Sequence, residues 1–401
     1  MQPVALSKDI HWIGVNDQNT RLFEGLWLIE AEGVSYNAYL INDEKPTLID
    51  LVKEFKTEEY LATLRELIDP SKIAYLVLNH LEPDHTGALT ALQQIAPNAT
   101  LLCTEKARPM LESFFGITRN VRAVADGETI NLGKHSLRFI TSPMVHWPET
   151  MLTFEEKTGT LFSCDAFGGY GKLVHDIFDD QYPDKTFFEN QALRYYANIV
   201  ASFSKPVLNA AAKLAGLQIK TVAPSHGLIW RADPMRIISL YTEWAAYAKK
   251  PRCGVTILHG SMYGNTAQML DAVISGVSET GIQPAMHDVT SEHFSNILPS
   301  IWVNQGVIIG APTYEGQLFP TAAELLELCY LKRYYNHTAA YYGSYGWGGG
   351  ATRYLTTQLE RLQWKLSASL EFPGKPTSAN LLAGRDLGRA LAQVVLSQQS
   401  D

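Results

Sequence analysis

The stretch Ile73-Ala-Tyr-Leu-Val-Leu-Asn-His-Leu-Glu-Pro-Asp-His-Thr-Gly-Ala88 decides how the first part of the chain is read. Its first six residues are apolar and read as a strand. That strand runs straight into four potential metal ligands, His80, Glu82, Asp84 and His85, which fall within six residues. Loops at strand ends are where function concentrates. Packing does not require this density of imidazole and carboxylate. Such groups facing one another repel or lose solvation unless a cation stands between them. The plain alternative is a solvated polar turn. Three later residues stand in similar places: His146 in Met144-Val-His-Trp-Pro148, Asp165 in Phe162-Ser-Cys-Asp-Ala166, and His226 in Ala223-Pro-Ser-His-Gly227. Each is ordinary alone. Their shared position after strand-like runs marks them as completions of one site.

The set resembles the metallo-β-lactamase superfamily, with its H-x-H-x-D-H signature and later His, Asp and His. Here the second position is Glu82, where the zinc hydrolases carry His. A carboxylate in place of an imidazole makes the site harder and more anionic, which moves its preference from zinc towards iron or manganese. The pattern H-x-E-x-D-H followed by His, Asp and His is the one found in flavodiiron proteins. That resemblance implies a di-iron centre in which His80, Glu82 and His146 bind one iron, Asp84, His85 and His226 bind the second, and Asp165 bridges them. Two metals ~3.5–4 Å apart can clamp both ends of a diatomic ligand. Trp147 and Pro148 match the family's H-W-P context and are expected in the pocket wall.

Around this cluster the N-terminal half reads as mixed. Ser35–Ile41 and Pro46–Asp50 suggest a hairpin, Thr57 is placed to cap a helix from Glu58 to Ile68, and Leu137–Thr141 and Leu152–Phe154 read as strands. Strand pairs interleaved with helices suggest sheets covered by helices on their outer faces. The clearest joint is Ala245-Ala-Tyr-Ala-Lys-Lys-Pro-Arg-Cys-Gly254, where Pro251 bars a helix from continuing. Domains are therefore expected at 1–250 and 251–401.

The C-terminal half alternates. Strands are expected at Val255–Leu258, Gly306–Gly310, Ala339–Tyr342 and Leu366–Leu370, and helices at Ala267–Val277, Ala322–Leu331, Thr352–Leu362 and Asp386–Leu396. That order implies a doubly wound parallel sheet. After the first strand, His259-Gly-Ser-Met-Tyr-Gly-Asn-Thr266 leads into a helix, an anion site built from backbone N–H groups and the helix dipole. No Lys or Arg lies between Val255 and Thr266. The loop lacks both G-x-x-x-x-G-K-[ST] and G-x-G-x-x-G, so a monophosphate fits better than a triphosphate or a dinucleotide.

This loop resembles flavodoxin, where it holds the phosphate of FMN. The resemblance extends to Gly310-Ala-Pro-Thr-Tyr-Glu-Gly316 and Gly343-Ser-Tyr-Gly-Trp-Gly-Gly-Gly350, placed where flavodoxin-like proteins clasp the isoalloxazine. The expected FMN contacts are Ser261, Met262, Tyr263, Gly264, Asn265 and Thr266 in the first loop, Pro312, Thr313, Tyr314, Glu315 and Gly316 in the second, and Ser344, Tyr345, Gly346, Trp347, Gly348 and Gly349 in the third.

The fold implied by both resemblances is α/β throughout. A metallo-β-lactamase-like αβ/βα sandwich comes first and a flavodoxin-like doubly wound parallel sheet second. The family implication is a cytoplasmic reductase of dioxygen to water, of nitric oxide to nitrous oxide, or of both, with electrons passing from FMN to a non-haem di-iron site. The joint near Ala245–Gly254 is short, so flavin and iron meeting within one chain is doubtful. The resemblance implies a head-to-tail homodimer, or a dimer of such dimers, in which the FMN of one chain faces the di-iron site of its partner. A rival reading is a binuclear metallo-hydrolase with a fused flavodoxin-like docking module; Glu82 argues against it.

Composition narrows the field further. Lys plus Arg total 33 and Asp plus Glu 41 in 401 residues, a net charge of -8 that argues against a general nucleic-acid binder. No apolar run approaches the ~18 residues of a membrane helix. The opening Met1-Gln-Pro-Val-Ala-Leu carries no secretion signal, and the four cysteines, far apart with no C-x-x-C pair, suit a reducing cytoplasm. They also exclude a rubredoxin module within this chain. The electron donor is therefore expected to be separate, such as a small rubredoxin or a reduced deazaflavin. His11, His135, His175, His259, His287, His293 and His337 show no ligand pattern and read mostly as surface or core residues. The charge pairs Glu155-Glu156 and Asp179-Asp180 read as solvated faces.

Overall fold

The computed structural model describes residues 2–398. They form two compact units that divide between Ala245 and Ala246.

The first unit is built on two sheets. A seven-stranded sheet runs in the order Val4–Ala5, Ile10–Trp12, Tyr39–Ile41, Thr47–Ile49, Tyr75–Val77, Thr100–Cys103, Val121–Ala123. A five-stranded sheet runs Thr129–Asn131, Ser136–Thr141, Met151–Glu155, Thr160–Cys164, Thr221–Pro224. In the first sheet the pairings from Thr47–Ile49 to Val121–Ala123 are all parallel. Parallel strands need crossovers, and the helices Thr57–Leu67, Leu89–Ile95 and Arg108–Phe115 lie in those connections. Met151–Glu155 and Thr160–Cys164 are buried at every position, so both faces of those strands are covered. The two sheets meet where the Tyr39 and Phe162 rings approach to 4.9 Å and where Thr153 Oγ1 donates to Asn79 Oδ1 at 2.7 Å.

Several local expectations are corrected. Ser35–Ile41 is not one strand: Val34–Tyr36 pairs with Val15–Asp17, and the hairpin is made by Tyr39–Ile41 with Thr47–Ile49. Asn37 causes the break, because its side chain is drawn away to the carbonyls of Pro224 and Gly227, 2.9 Å each. Thr57 is not a cap. The 3₁₀ turn Glu54–Lys56 leads directly into the helix, and the Thr57 hydroxyl donates back to the Glu54 carbonyl. Glu155 and Asp179 are not on solvated faces; both are fully buried. Glu155 accepts from the backbone of Lys157 and Thr158 and lies 3.0 Å from His135 Nδ1. Asp179 accepts from the backbone N–H groups of Arg231, Ala232 and Asp233, which fastens the segment just after His226.

The second unit is a five-stranded, all-parallel sheet in the order Ala285–Asp288, Arg252–His259, Asn304–Gly310, Thr338–Tyr345, Lys365–Pro373. Numbered along the chain this is 2-1-3-4-5, the flavodoxin order. Ile257, Ile308 and Ala340 on its central strands are buried with Met269, Val273 and Leu391 from the covering helices. Among the described residues no helix is long and apolar enough to cross a membrane.

Candidate metal centre and flavin cradle

The seven candidate ligands arrive from four strand ends. His80, Glu82, Asp84 and His85 follow Tyr75–Val77; His146 lies in the turn between Ser136–Thr141 and Met151–Glu155; Asp165 follows Thr160–Cys164; His226 follows Thr221–Pro224. The structure brings all seven together. Among the described residues three overlapping groups could each hold a metal ion, with the ligating atoms of each within 4.8 Å of one another: His80, Glu82, His146 and Asp165; Asp84, His85 and His226; and His85, Cys164 and Asp165, of which the first two together use all seven candidates.

Asp165 faces both groups, one oxygen to each. Its Oδ2 lies 3.4 Å from His80 Nε2 and 3.1 Å from His146 Nε2. Its Oδ1 lies 2.9 Å from His85 Nε2 and 3.4 Å from His226 Nε2. Glu82 Oε2 stands 3.3 Å from His80 Nε2 and 3.1 Å from His146 Nε2, and Asp84 Oδ2 stands 3.2 Å from His226 Nε2. An octahedral cation with bonds of roughly 2.1 Å sets neighbouring ligand atoms about 3 Å apart. Both oxygens of Asp84, both of Asp165, both ring nitrogens of His85 and Nε2 of His226 are buried and make no well-formed hydrogen bond; the carboxylate oxygens and the Nε2 atoms face only other candidate ligands, the nearest of them 2.9–3.4 Å away. Orphaned buried polar atoms converging at ligand spacing fit a pair of cations, since leaving them unmatched costs about 1–3 kcal/mol each.

Electrostatics agrees. Burial alone would lower the imidazole pKa values. In His80 the bonds to Glu149 and Glu82 and the charge of Asp165 outweigh burial and lift the value to about 10. Asp165 and Glu82 likewise lift His146 to about 10, and Asp84 and Asp165 lift His85 to about 9. The same contacts overcome burial to hold Glu82 and Asp165 well below the usual carboxylate range. The site demands positive charge between its carboxylates, whether as protons or as metal.

The scaffold behind the ligands contains residues the sequence reading missed. Asp50, at a strand end, accepts from the backbone N–H and the side-chain amide of Asn79, at 2.8 and 2.9 Å. This fixes the residue before His80. Asp50 sits at φ 51°, a left-handed conformation that aspartate tolerates better than most residues. Glu149 lies 2.7 Å from His80 Nδ1, and the Ser35 carbonyl lies 2.8 Å from His226 Nδ1. For Asp50 the available signal was a carboxylate directly after the strand Thr47–Ile49; Glu149 lies in the turn before Met151–Glu155 and carried no such signal. The rings of Phe23, Tyr36 and Tyr195 stand 5.4–5.7 Å from His226, and the Trp147 ring meets His80 edge-on at 5.0 Å. Trp147 is therefore in the wall, as expected.

At the C-terminal ends of the parallel strands lies a cavity of about 440 Å³. Its lining includes Ser261, Met262, Tyr263 and Asn265 from the first loop, Pro312, Thr313, Tyr314, Glu315 and Gly316 from the second, and Ser344, Tyr345, Gly346, Trp347 and Gly348 from the third. Gly264, Thr266 and Gly349, also expected, do not line it; Gly374, not expected, does. Thr266 is buried, with its hydroxyl 2.8 Å from that of Ser344, so it pins the first loop to the third. Gly264 has φ +88°, a turn that glycine makes without strain, and its N–H donates to Ser261 Oγ at 3.1 Å. Trp347 is 100% exposed and Tyr263 88%, large apolar faces left open on the rim of a cavity. Glu371 joins two of the loops, accepting from Thr313 Oγ1 and from the Gly350 N–H. An aromatic-rimmed cavity with a backbone cradle at a helix N-terminus fits a flat phosphorylated cofactor.

Fold and site together define a metallo-β-lactamase-like unit followed by a flavodoxin-like one. Residues 34–227 match the family described as ODP family beta lactamase. Over 392 residues the chain is 37% identical to a nitric oxide reductase of Moorella thermoacetica, covering 97% of this chain and 96% of that protein. Among solved structures it is similar to rubredoxin oxygen:oxidoreductase from Desulfovibrio gigas, with TM-score 0.94, 31% identity and full coverage of both chains. It is also similar to the flavodiiron protein from Giardia intestinalis, with TM-score 0.93, 28% identity, and 99% and 97% of the two chains covered. The chain belongs to the flavodiiron proteins.

Proposed function

We propose that the protein is an oxidoreductase that reduces nitric oxide, dioxygen or both, using a flavin and a non-haem di-iron site. The observation that carries the proposal is Asp165, whose two oxygens face two separate donor groups. In this reading His80, Glu82 and His146 would hold one iron, Asp84, His85 and His226 would hold the other, and Asp165 would be shared between them. The flavin is FMN, because the loop from Ser261 to Thr266 offers neutral donors and a helix N-terminus suited to one phosphate. The domains are 1–250 for iron and 251–401 for FMN.

When bound, the flavin and the iron pair would supply the redox chemistry, electron donation and reduction of the diatomic substrate. The protein's own part is placement. Asp50 and Asn79 hold the His80 loop, Asp179 holds the segment after His226, and Phe23, Tyr36, Tyr195 and Trp147 keep bulk water from the metal pocket. In the other unit Thr266, Ser344 and Glu371 tie the three loops together, and Tyr263 and Trp347 would offer a flavin ring aromatic faces.

The proposal includes a separate electron donor, a rubredoxin-like protein or a reduced deazaflavin. It includes a head-to-tail homodimer, or a dimer of dimers, in which the FMN of one chain faces the iron of its partner. It also includes work in a reducing cytoplasm, which suits the free thiols of Cys103, Cys164, Cys253 and Cys329. Elemental analysis tests the core of the reading: about two irons per chain and one FMN are expected. Stoichiometric zinc, with hydrolytic activity that survives iron removal, would overturn it.

A further inference from the structure

In three of the clustered histidines the second ring nitrogen meets different surroundings. His226 faces a neutral acceptor, the Ser35 carbonyl, at 2.8 Å. His85 Nδ1 is buried and has no hydrogen-bond partner. His80 is backed by a full carboxylate, with Nδ1 2.7 Å from Glu149 Oε1.

Glu149 is 2% exposed, and the same Oε1 accepts from the Leu81 N–H at 3.0 Å. Its other oxygen, Oε2, is buried without a partner. The backbone is pinned as well, because Thr104 Oγ1 donates to the Glu149 carbonyl at 2.8 Å. A charge in such a place is expensive to desolvate. A neutral acceptor would hold a ring N–H equally well, as the Ser35 carbonyl does for His226. Keeping a carboxylate there implies that its charge has a use.

We propose that Glu149 is a positioning residue with an electronic effect: it holds His80 with Nδ1 protonated and Nε2 facing Glu82 and Asp165, and its charge makes the iron of the His80, Glu82 and His146 group the harder of the two to reduce. The inference rests on the di-iron reading above. A negative charge behind a ligating imidazole raises the ligand's basicity and favours the more positive oxidation state of the metal. In the Asp84, His85 and His226 group no carboxylate is hydrogen-bonded to the second ring nitrogen of His85 or His226; the buried carboxylate of Asp50, whose charge is felt by both His85 and His80, is held by Asn79 and not by a ligand ring. The pair is therefore built unequal, and its more easily reduced member lies in the second group.

The test uses the full-length protein as wild type, Glu149→Gln and Glu149→Asp. Iron content is measured first, and a potentiometric titration is then followed by the electron paramagnetic resonance of the half-reduced pair. Glutamine keeps an acceptor and removes the charge. Iron affinity is expected to fall roughly 10–100-fold in this variant. The iron midpoint should move upward while the flavin midpoint stays in place, and aspartate should bring the iron value back towards wild type. If Glu149→Gln cannot be loaded with iron, cobalt(II) titration of the metal-free variant decides. Selective weakening of one of two sites supports the inference; equal weakening of both overturns it. Paired iron with an unmoved midpoint and unchanged affinity in Glu149→Gln rejects this inference alone, as does Glu149→Asp behaving like Glu149→Gln. Wild-type protein without paired iron rejects the di-iron reading, and this inference with it.

Discussion

Replacing Gly87 by alanine should empty one metal position and spare the other. Gly87 follows the short helix Pro83–Thr86 that carries Asp84 and His85. Its φ is -59°, so backbone torsion does not demand glycine there. Space does: a Cβ would stand 2.1 Å from the Glu54 nitrogen, 2.7 Å from the Lys53 carbonyl carbon and 2.8 Å from Glu54 Cα. These are backbone atoms that cannot rotate away. Restoring ordinary contact at 3.4 Å means parting the segments by about 1.3 Å. Overpacking of this kind costs about 1–3 kcal/mol. Two backbone bonds cross the same seam, Leu51 N–H to the His85 carbonyl at 2.9 Å and Ala88 N–H to the Val52 carbonyl at 3.1 Å. Weakening both adds about 1 kcal/mol, so the loss should be about 2–4 kcal/mol. A shift above 1 Å also exceeds the roughly ±0.2 Å tolerance of metal–ligand distances. Gly87→Ala should therefore unfold at lower urea concentration, and its iron should fall from about two towards one per chain. Flavin content should hold, since Gly87 belongs to the other unit. A variant with the wild-type urea midpoint and full iron content would refute the close-approach reasoning.

Gly264→Asp meets no clash, since nothing lies within 4 Å of the added Cβ, but it puts a negative charge at φ +88° in the phosphate loop. FMN binding should weaken by about 2 kcal/mol, roughly 30-fold, with iron content unchanged; normal flavin content would show that the loop is misassigned. In the metal-free protein the surrounding carboxylates hold His80, His146 and His85 above the ordinary imidazole value of 6.5, His80 and His146 at about 10 and His85 at about 9. The stabilisation from these protons is fully present below pH 6.5 and is lost as pH rises through about 9 to 10. Iron(II) loading at pH 7 should therefore release protons and tighten as pH rises, which an indicator dye under anaerobic conditions can follow; loading without proton release would refute the pKa pattern. Asp165→Asn should lose reductase activity and keep its flavin. Mixed with Gly264→Asp under conditions that exchange subunits, it should recover roughly a quarter of wild-type activity if flavin and iron meet between chains. A mixture that stays inactive despite proven exchange would reject the trans arrangement.

Both candidate sites were legible in the sequence because each is written in short local runs: four candidate ligands within six residues after a strand, and three glycine-rich loops in order at strand ends. His146, Asp165 and His226 were legible only by their placement after strands. What sequence spacing did not reveal was burial created by distant partners. Glu155 looked solvated beside Glu156, yet it is paired with His135, which lies 20 residues away. Asp179 looked solvated beside Asp180, yet it holds N–H groups 52 to 54 residues later. Glu149 follows the H-W-P run and still escaped notice, because its function depends on the direction in which a turn presents it. The last helix was read from Asp386 but begins at Ser378, behind a capping box of Thr377 and Asn380. The strand Ala285–Asp288 and the helix Phe294–Val303 were also unread; four residues are a weak strand signal, and Pro299 inside the helix argues against it. Thr57 resembled a cap because the preceding 3₁₀ turn leaves no trace in composition.

The most direct measurement of the proposed activity is reoxidation of the fully reduced, iron-loaded protein mixed anaerobically with nitric oxide, and separately with limiting dioxygen, followed at the flavin absorbance with product analysis. The same protein depleted of iron and retaining FMN is the comparison. Fast flavin reoxidation with at least one of the two gases is expected only in the iron-loaded protein, with nitrous oxide formed from nitric oxide or water from dioxygen. Equal reoxidation rates with and without iron would contradict the claim that electrons leave the flavin through the paired-iron site.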